Sequence, residues 1–362
     1  MNRYYKFRIN PTKNQRELLV KTFGCTRFIY NKMLEAKIAH YEKTGKMLMT
    51  TPAQYKLEFP WLCAVDSLAL ANAQLHLETA YKNFFRDDKN AGFPKYKSKH
   101  RGQNSYTTNV VNGNITLADG YLKLPKLGKV KVRQHRQIPE GYRLKSVTVS
   151  LTTTGKYFAS ILFEYDADIK PVKPVNIIGL DFSMSGLYVD SNGDSAEYPR
   201  YYRASLEKLA REQRKMSRMA KGGSNRGKQR LKVAKLHEKT ANKRSDYLNK
   251  LSRRIANAYD AVCIEDLNMK AMSQALNFGK SVSDNGWGMF RSMLAYKLAD
   301  QGKTLIIIDK YFPSSKLCSN CGAVKDELPL SERVYQCGCG FIADRDENAA
   351  VNIKNEGIRM IA

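Results

Sequence analysis

The chain has 362 residues, 43% of them hydrophobic, and carries 61 Lys and Arg against 34 Asp and Glu, a formal net charge of +27. That length and composition predict a folded protein of two or three domains. No run of 18 apolar residues is present to span a membrane, and the amino terminus MNRYYKFRINPTKNQ lacks a secretory signal's apolar stretch, so a cytoplasmic, nucleoid-associated protein with no membrane partner is expected. So large a cationic surplus repels itself unless a polyanion neutralises it, which makes nucleic acid the expected partner.

In chain order, Tyr5, Phe7 and Ile9 alternate as in a strand over residues 1–10. Pro11 and Asn14 then open a helical region with Leu18, Leu19, Phe23, Phe28, Ile29 and Leu34 at helical spacing. A second helix is predicted over Ser67–Phe85, and Gly92-Phe93-Pro94 marks its end. Next comes a basic run around an aromatic, with Lys95, Lys97, Lys99 and Arg101 suited to phosphates and Phe93 and Tyr96 to bases. From Ser105 to Tyr165, short alternating runs separated by Gly120, Gly128, Gly141 and Gly155 predict an antiparallel barrel or sandwich, and Asp166–Pro174 reads as a linker.

A new unit begins at Val175. Residues 177–181 form an apolar strand ending in Asp181, and Gly186–Asp190 a second strand closed by Ser191-Asn192-Gly193. Residues 201–254 read as one or two long helices with 18 Lys and Arg against four acids, broken at Lys221-Gly222-Gly223-Ser224. The sign bias is too strong for an ordinary solvated face, so Arg211, Arg214, Lys228, Arg230, Lys232, Lys243 and Arg244 are candidate nucleic-acid contacts. Leu248, Leu251 and Ile255 supply a core-facing stripe. Residues 261–265 form a buried strand ending in Glu265, Trp287, Phe290, Leu294 and Leu298 an amphipathic helix stopping at Gly302, and Thr304–Ile308 a third buried strand. A last helix is expected from Asp346 to Glu356, capped by Gly357.

Seven cysteines fall into two groups. Cys25, Cys63 and Cys263 are scattered in apolar settings and read as buried or semi-buried thiols. Cys318, Cys321, Cys337 and Cys339 form two close pairs, which in an intracellular chain point to one structural zinc ion rather than to disulfides. The second pair is C-x-C, one residue shorter than usual, and demands a tighter turn.

The order from Val175 onward (strand hairpin, helix, strand, helix, strand, helix) matches an RNase H-like α/β fold. Asp181, Glu265 and Asp346 stand where such a fold gathers carboxylates. Mg²⁺ is a hard cation that prefers oxygen ligands, and two such ions about 3.5–4 Å apart can clamp an in-line phosphodiester hydrolysis. They also relieve the repulsion among the three acids.

Longer segments resemble one known family. GLDFSMSGLYVDSNG (179–193), VCIEDLNMKAM (262–272) and LSERVYQCGCGFIADRDENAAVNI (330–353) resemble the three RuvC motifs of TnpB (OrfB) proteins, transposon-encoded RNA-guided nucleases related to type V CRISPR effectors, the last segment also including the ribbon's exit. FPSSKLCSNCG (312–322) is similar to the start of that family's zinc ribbon, and FGCTRFIYNKML (23–34) and FPKYKSKHR (93–101) also match. The resemblance implies a RuvC nuclease domain (173–314 and 343–362) with a four-Cys ribbon insertion (315–342), preceded by a β-barrel wedge domain (1–10 and 104–172) carrying a helical recognition insertion (11–103). It implies Asp181, Glu265 and Asp346 as catalytic ligands of two Mg²⁺, with Asp346 favoured over Asp344 because the family's acid precedes x-Asn-Ala-Ala. It implies Cys318, Cys321, Cys337 and Cys339 as zinc ligands, and a guide RNA from the transposon end and double-stranded target DNA as partners, with no protein oligomer expected. Two departures from the family are the C-x-C pair and Ala343, where many members have His.

The activity so implied is RNA-guided cleavage of DNA beside a short target-adjacent motif. The chain has no recognisable duplex-reading motif such as a helix-turn-helix, which fits specificity that resides in RNA. Competing readings are a non-cleaving RNA-guided repressor, a guide-free nuclease of the Holliday-junction resolvase type, and an accessory DNA-binding protein. The first would lack active-site acids. The second leaves the first 170 residues without a role, and the third leaves the acids without one.

Overall fold

The alternation of Tyr5, Phe7 and Ile9 becomes β1 (Asn2–Asn10) in a computed structural model of the chain, which describes residues 1–86, 91–99, 104–275, 279, 284–329 and 331–362. Two units emerge, Met1–Ala167 and Asp168–Ala362, and the division falls inside the segment expected to be a linker.

In the first unit, α1 (Lys13–Thr44) starts at a capping box in which Thr12 and Gln15 satisfy each other's backbone, and stops at Gly45 in the left-handed conformation. After a single turn, α2 (Tyr55–Glu58), comes α3 (Ser67–Phe85), with the bounds expected from its periodicity. Then follow β2 (Asn104–Asn109), β3 (Thr116–Ala118), β4 (Tyr121–Leu124), β5 (Gly128–Arg133), β6 (Arg143–Leu151) and β7 (Tyr157–Glu164). With β1 they make one antiparallel sheet in the order β2-β6-β7-β1-β5-β4-β3. Inward residues alternate along it: Phe7, Ile9, Leu122, Val130, Val147, Val149, Ala159 and Ile161 share a core with Leu19 and Phe23 of α1. Among the described residues β2 and β3 stand at the two ends and do not pair, so the expected barrel is an open sheet. The scattered thiols divide: Cys25 and Cys263 are buried, but Cys63 is exposed, because Leu62 takes the inward position of the tight turn over Pro60–Ala64.

The second unit is built on β8 (Ile177–Ser183), β9 (Leu187–Asp190), β10 (Ala261–Glu265) and β11 (Thr304–Ile308), in the order β11-β10-β8-β9. β8, β10 and β11 are parallel, and β9 returns antiparallel to β8. The basic stretch is two helices, α4 (Tyr201–Ser217) and α5 (Ser224–Ala258), parted at the glycines as expected. α6 (Met269–Ala275), α7 (Trp287–Ala299), the hairpin β12 (Val334–Gln336) with β13 (Ile342–Asp344), and α8 (Arg345–Arg359) complete it.

The sheet's two faces have different partners. Ile178, Leu180, Val262 and Ile264 share a core with Leu248, Leu251 and Ile255 of α5 and Phe290, Leu294 and Leu298 of α7. The opposite residues, Ile177, Ala261 and Cys263, pack with Ile353 of α8. α8 lies close against the strands: a Cβ on Gly179 would collide with Ala350 O and come within 2.7 Å of Lys354 N, and one on Gly357 would collide with Cys263 Sγ. Gly357 is therefore not the helix cap that was expected. It lies inside α8, which runs on to Arg359, and its missing side chain makes room for β10.

Candidate active site and metal centre

Register brings the first two carboxylates together. β8 and β10 pair Leu180 with Ile264, so Asp181 and Glu265 are the next residues along two parallel neighbours. Because Leu180 and Ile264 face the α5–α7 core, strand alternation turns Asp181 and Glu265 to the α8 face. There Asp346 waits in the first turn of α8. Asp344 also lies at this helix start, but its Oδ1 accepts from Asp346 N (2.8 Å) and Glu347 N (3.2 Å), so it is committed to the N-cap.

The electrostatics record the convergence. Burial pushes the Asp181 carboxyl well above the usual carboxylate range, and Glu265 and Asp346 push it further. Glu265 is raised by burial, although the Ser314 hydroxyl that donates to its Oε1 opposes the shift. Asp346 is raised by burial and by Asp344, against the guanidiniums of Arg333, 3.7 Å away, and Arg345. Two acids that oppose the ionisation of a third, in a chain with a large cationic excess, make a setting that a divalent cation would relieve. A cleft of about 540 Å³ adjoins Asp346, lined also by Ser183, Ser195, Arg200, Asp344 and Glu347.

Cys318, Cys321, Cys337 and Cys339 are the group of metal-ligating side chains, among the described residues, whose ligand atoms all lie within 4.8 Å of one another. Cys318 Sγ is 3.9 Å from Cys339 Sγ, and Cys321 Sγ is 3.6 Å from Cys337 Sγ. Thiolates about 2.3 Å from a tetrahedral zinc would stand roughly 3.8 Å apart, so the cluster fits a closed structural site. The short second pair works because Cys337 N donates to Phe341 O (2.9 Å) and Gly340 N to Cys337 O (3.0 Å), with Gly340 at φ +88°. Hydrogen bonds from the Phe341 backbone and the Asn320 amide push the Cys339 thiol down, while hydrogen bonds to the other three thiols push Cys321 up.

The candidate nucleic-acid contacts lie on both units. In the first, Lys95 and Lys97 line a cleft of about 530 Å³ with Arg27, His76 and Tyr106. Lys97 Nζ sits 3.8 Å over the Tyr30 ring, and Asn31 ties the Lys97 backbone at both N–H (2.8 Å) and C=O (3.0 Å). Lys99 is exposed, and Arg101 lies outside the described residues. In the second unit, Arg211, Arg214, Lys228, Arg230 and Lys243 are exposed and Arg244 is half-buried. Lys232 is engaged: its ammonium is 3.0 Å from Oε2 of the buried Glu212, which also accepts from Gln229 (2.7 Å). These bonds hold the Glu212 carboxyl down to about 2 and join α4 to α5.

The sequence assigns no role to four polar residues of consequence. Ser314, Asn348 and Asn352 are buried around the segment that leads into the cysteine cluster. Lys297 is buried on α7, its ammonium donating to Asn249 O, Asn249 Oδ1 and Ser252 Oγ, and burial lowers it to about 8. Asn348 and Asn352 do leave a trace in the sequence, since residues four apart share a helix face. Ser314 lies in a segment that resembles the family, but its contact with Glu265, like the contacts of Lys297, leaves no trace because the partners are distant in the chain.

Three family models match this chain. Residues 160–276 match "Probable transposase" of the OrfB group, and residues 287–353 match "Cas12f1-like, TNB domain". Residues 1–46 match "Helix-turn-helix domain"; no such motif was recognised in the sequence, and in the structure this segment is β1 followed by the single helix α1. A Streptomyces pristinaespiralis protein named "Putative RNA-guided DNA endonuclease" is 37% identical over 99% of this chain and 90% of its own length. "Putative RNA-guided DNA endonuclease InsQ" of Escherichia coli K12 is 31% identical over 99% of this chain and 93% of its own. Among solved structures, "Cryo-EM structure of the Cas12f1-sgRNA-target DNA complex" aligns over 98% of this chain and 99% of that one, with a TM-score of 0.61 and 12% identity, a likeness of fold.

Proposed function

The chain belongs to the TnpB (OrfB) family of insertion-sequence proteins, and from that premise we propose that it is an RNA-guided DNA endonuclease whose cutting centre is Asp181, Glu265 and Asp346. The observation that carries the assignment of the centre is the register of β8 and β10, which turns Asp181, two residues before the end of β8, and Glu265, at the end of β10, towards the start of α8. Two magnesium ions held by these acids would supply the Lewis acidity that activates water and stabilises the leaving oxygen in phosphodiester hydrolysis. The exposed cations of α4 and α5, with Lys95, Lys97 and Lys99, would hold a transposon-derived guide RNA and its hybrid with target DNA, and base pairing would supply the specificity. The cysteine cluster would hold one structural zinc ion. In this reading residues 1–10 and 104–172 form a wedge domain, 11–103 a recognition insertion, 173–314 and 343–362 a RuvC domain, and 315–342 its ribbon.

Asp181→Ala should abolish cleavage while guide and target binding persist; retained cutting would refute the carboxylate centre. RNA co-purifying with the protein should be a single species with a variable 3′ end that matches flanking DNA. Random RNA would favour a guide-free nuclease, and full binding without cutting by the unmodified protein would favour a repressor.

A further inference from the structure

Glu265 does not stand alone at the end of β10. Its Oε1 accepts a hydrogen bond from Ser314. Ser314 comes from the segment that runs into the cysteine ribbon and is itself buried. α8 holds that segment: Asn352 Nδ2 donates to Ser314 O (2.8 Å) and Leu317 O (2.7 Å), and Asn348 Nδ2 donates to Leu317 O (2.8 Å). Asn348 Oδ1 accepts from Ser319 N (3.0 Å), the residue after the ligand Cys318. Both asparagines are buried, at 1% and 2% exposure, and lie two and six residues after Asp346 on the same helix. Residues 314–319 are thus fixed to the helix that carries one site acid, touch a second acid at one end, and enter the thiol cluster at the other.

We infer that Ser314 is a positioning residue for Glu265, and that the segment 314–319, clamped by Asn348 and Asn352, makes the divalent-cation affinity of the carboxylate site depend on an intact cysteine cluster. The inference rests on the nuclease reading above. The cause is ordering: a metal ligand whose second oxygen is hydrogen-bonded by a fixed partner loses less freedom on binding the ion, and removing such partners typically costs roughly 10- to 100-fold in metal affinity. When the thiol cluster loosens, Cys318–Ser319 release the Asn348 clamp and Ser314 loses its fixed backbone.

The test uses the full chain with its guide RNA, and Mn²⁺ as the probe, its binding followed by electron paramagnetic resonance alongside zinc content, melting and target affinity measured without divalent metal. Ser314→Ala should weaken Mn²⁺ binding about 10- to 100-fold, with target affinity and zinc content unchanged, and Ser314→Thr, which keeps the hydroxyl, should restore it. Cys339→Ser, at the exposed end of the cluster, should weaken Mn²⁺ binding to a similar extent and add little in the Ser314→Ala background, since both act through one link. Unchanged Mn²⁺ binding in Ser314→Ala overturns the positioning role. Full additivity of the two substitutions overturns the coupling, and a Ser314→Thr variant that folds but does not recover overturns the positioning role of the hydroxyl. Failure of the nuclease reading looks different: the unmodified protein would then bind Mn²⁺ no better than Asp181→Ala does.

Discussion

Gly179→Ala tests the close contact on which the carboxylate centre depends. A Cβ at this position would lie 2.7 Å from Lys354 N and 2.9 Å from Lys354 Cβ, and would overlap Ala350 O. Two of these three atoms are backbone, so no side-chain rotation relieves the clash and α8 must withdraw by on the order of 1 Å to restore ordinary contact. Alanine lowers the entropy of the unfolded chain, a gain of about 0.4–1 kcal/mol, but overpacking of a filled core costs about 1–3 kcal/mol. The balance runs from about zero to a net loss of about 2.6 kcal/mol, which for a unit of this size lowers Tm by up to roughly 10 °C. The functional loss should be larger. Withdrawal of α8 carries Asp346 away from Asp181, and a misplacement of ~1 Å can cost about 100-fold in rate. Thermal melting and single-turnover cleavage of a guided target measure the two effects. Gly227→Ala on α5, where nothing lies within 4 Å, is the control and should gain up to about 1 kcal/mol from helix propensity. A Gly179→Ala protein that melts and cuts like the unmodified one would refute the close contact between α8 and β8.

Two further outcomes are expected. Asp181 is raised above its unfolded value, so below that value it costs the fold nothing; as pH rises towards its folded value the unfolded state releases the proton first and stability falls. Metal-free Asp181→Asn should therefore melt above the unmodified protein at pH 8, by a smaller margin at pH 5, and millimolar Mg²⁺ should close the gap; an equal margin at both pH values would contradict the assigned repulsion. Guide-RNA affinity should fall steeply with salt, and Lys228→Ala and Arg230→Ala should each make the log–log slope shallower by roughly 0.7–0.9. Lys232→Ala should change that slope little, because its ammonium is held by Glu212; equal slope changes at all three positions would show that Lys232 leaves Glu212 to meet RNA.

What the sequence made legible was whatever local periodicity encodes. α3 and β11 have the expected bounds, and the two basic helices part at Gly222-Gly223 as the composition implied. Strands that run apolar and then acidic marked Asp181 and Glu265, because a carboxylate there departs from the core pattern around it. Less legible was anything set by which face meets which partner. Gly357 reads as a stop signal in isolation, yet against β10 it is a packing gap. Cys63 sits among apolar neighbours, but the tight turn buries Leu62 instead. Ser314 joins Glu265 across 49 positions of chain, a distance over which no periodicity operates. The hydrogen bonds that close the C-x-C pair belong to Phe341 and Gly340 backbone, which side-chain identity does not report.

The basic hairpin has a consequence for the protein without nucleic acid. Residues 201–254 crowd 18 cations against four acids, and the buried Glu212 is shared between α4 and α5 as their common counter-charge. With its carboxyl held down to about 2, that staple stays ionised at every physiological pH, while the surrounding cations push against it. Added salt screens this pressure over a Debye length of about 10 Å at 0.1 M and also displaces bound polyanion. Salt therefore acts in opposite directions on two states of one molecule: it steadies the free hairpin and dissolves the complex. With the proposed guide RNA on these helices, dilute buffer would be the harshest solvent for the bare protein and the kindest for the complex, and the RNA would serve as a structural counterion of the fold.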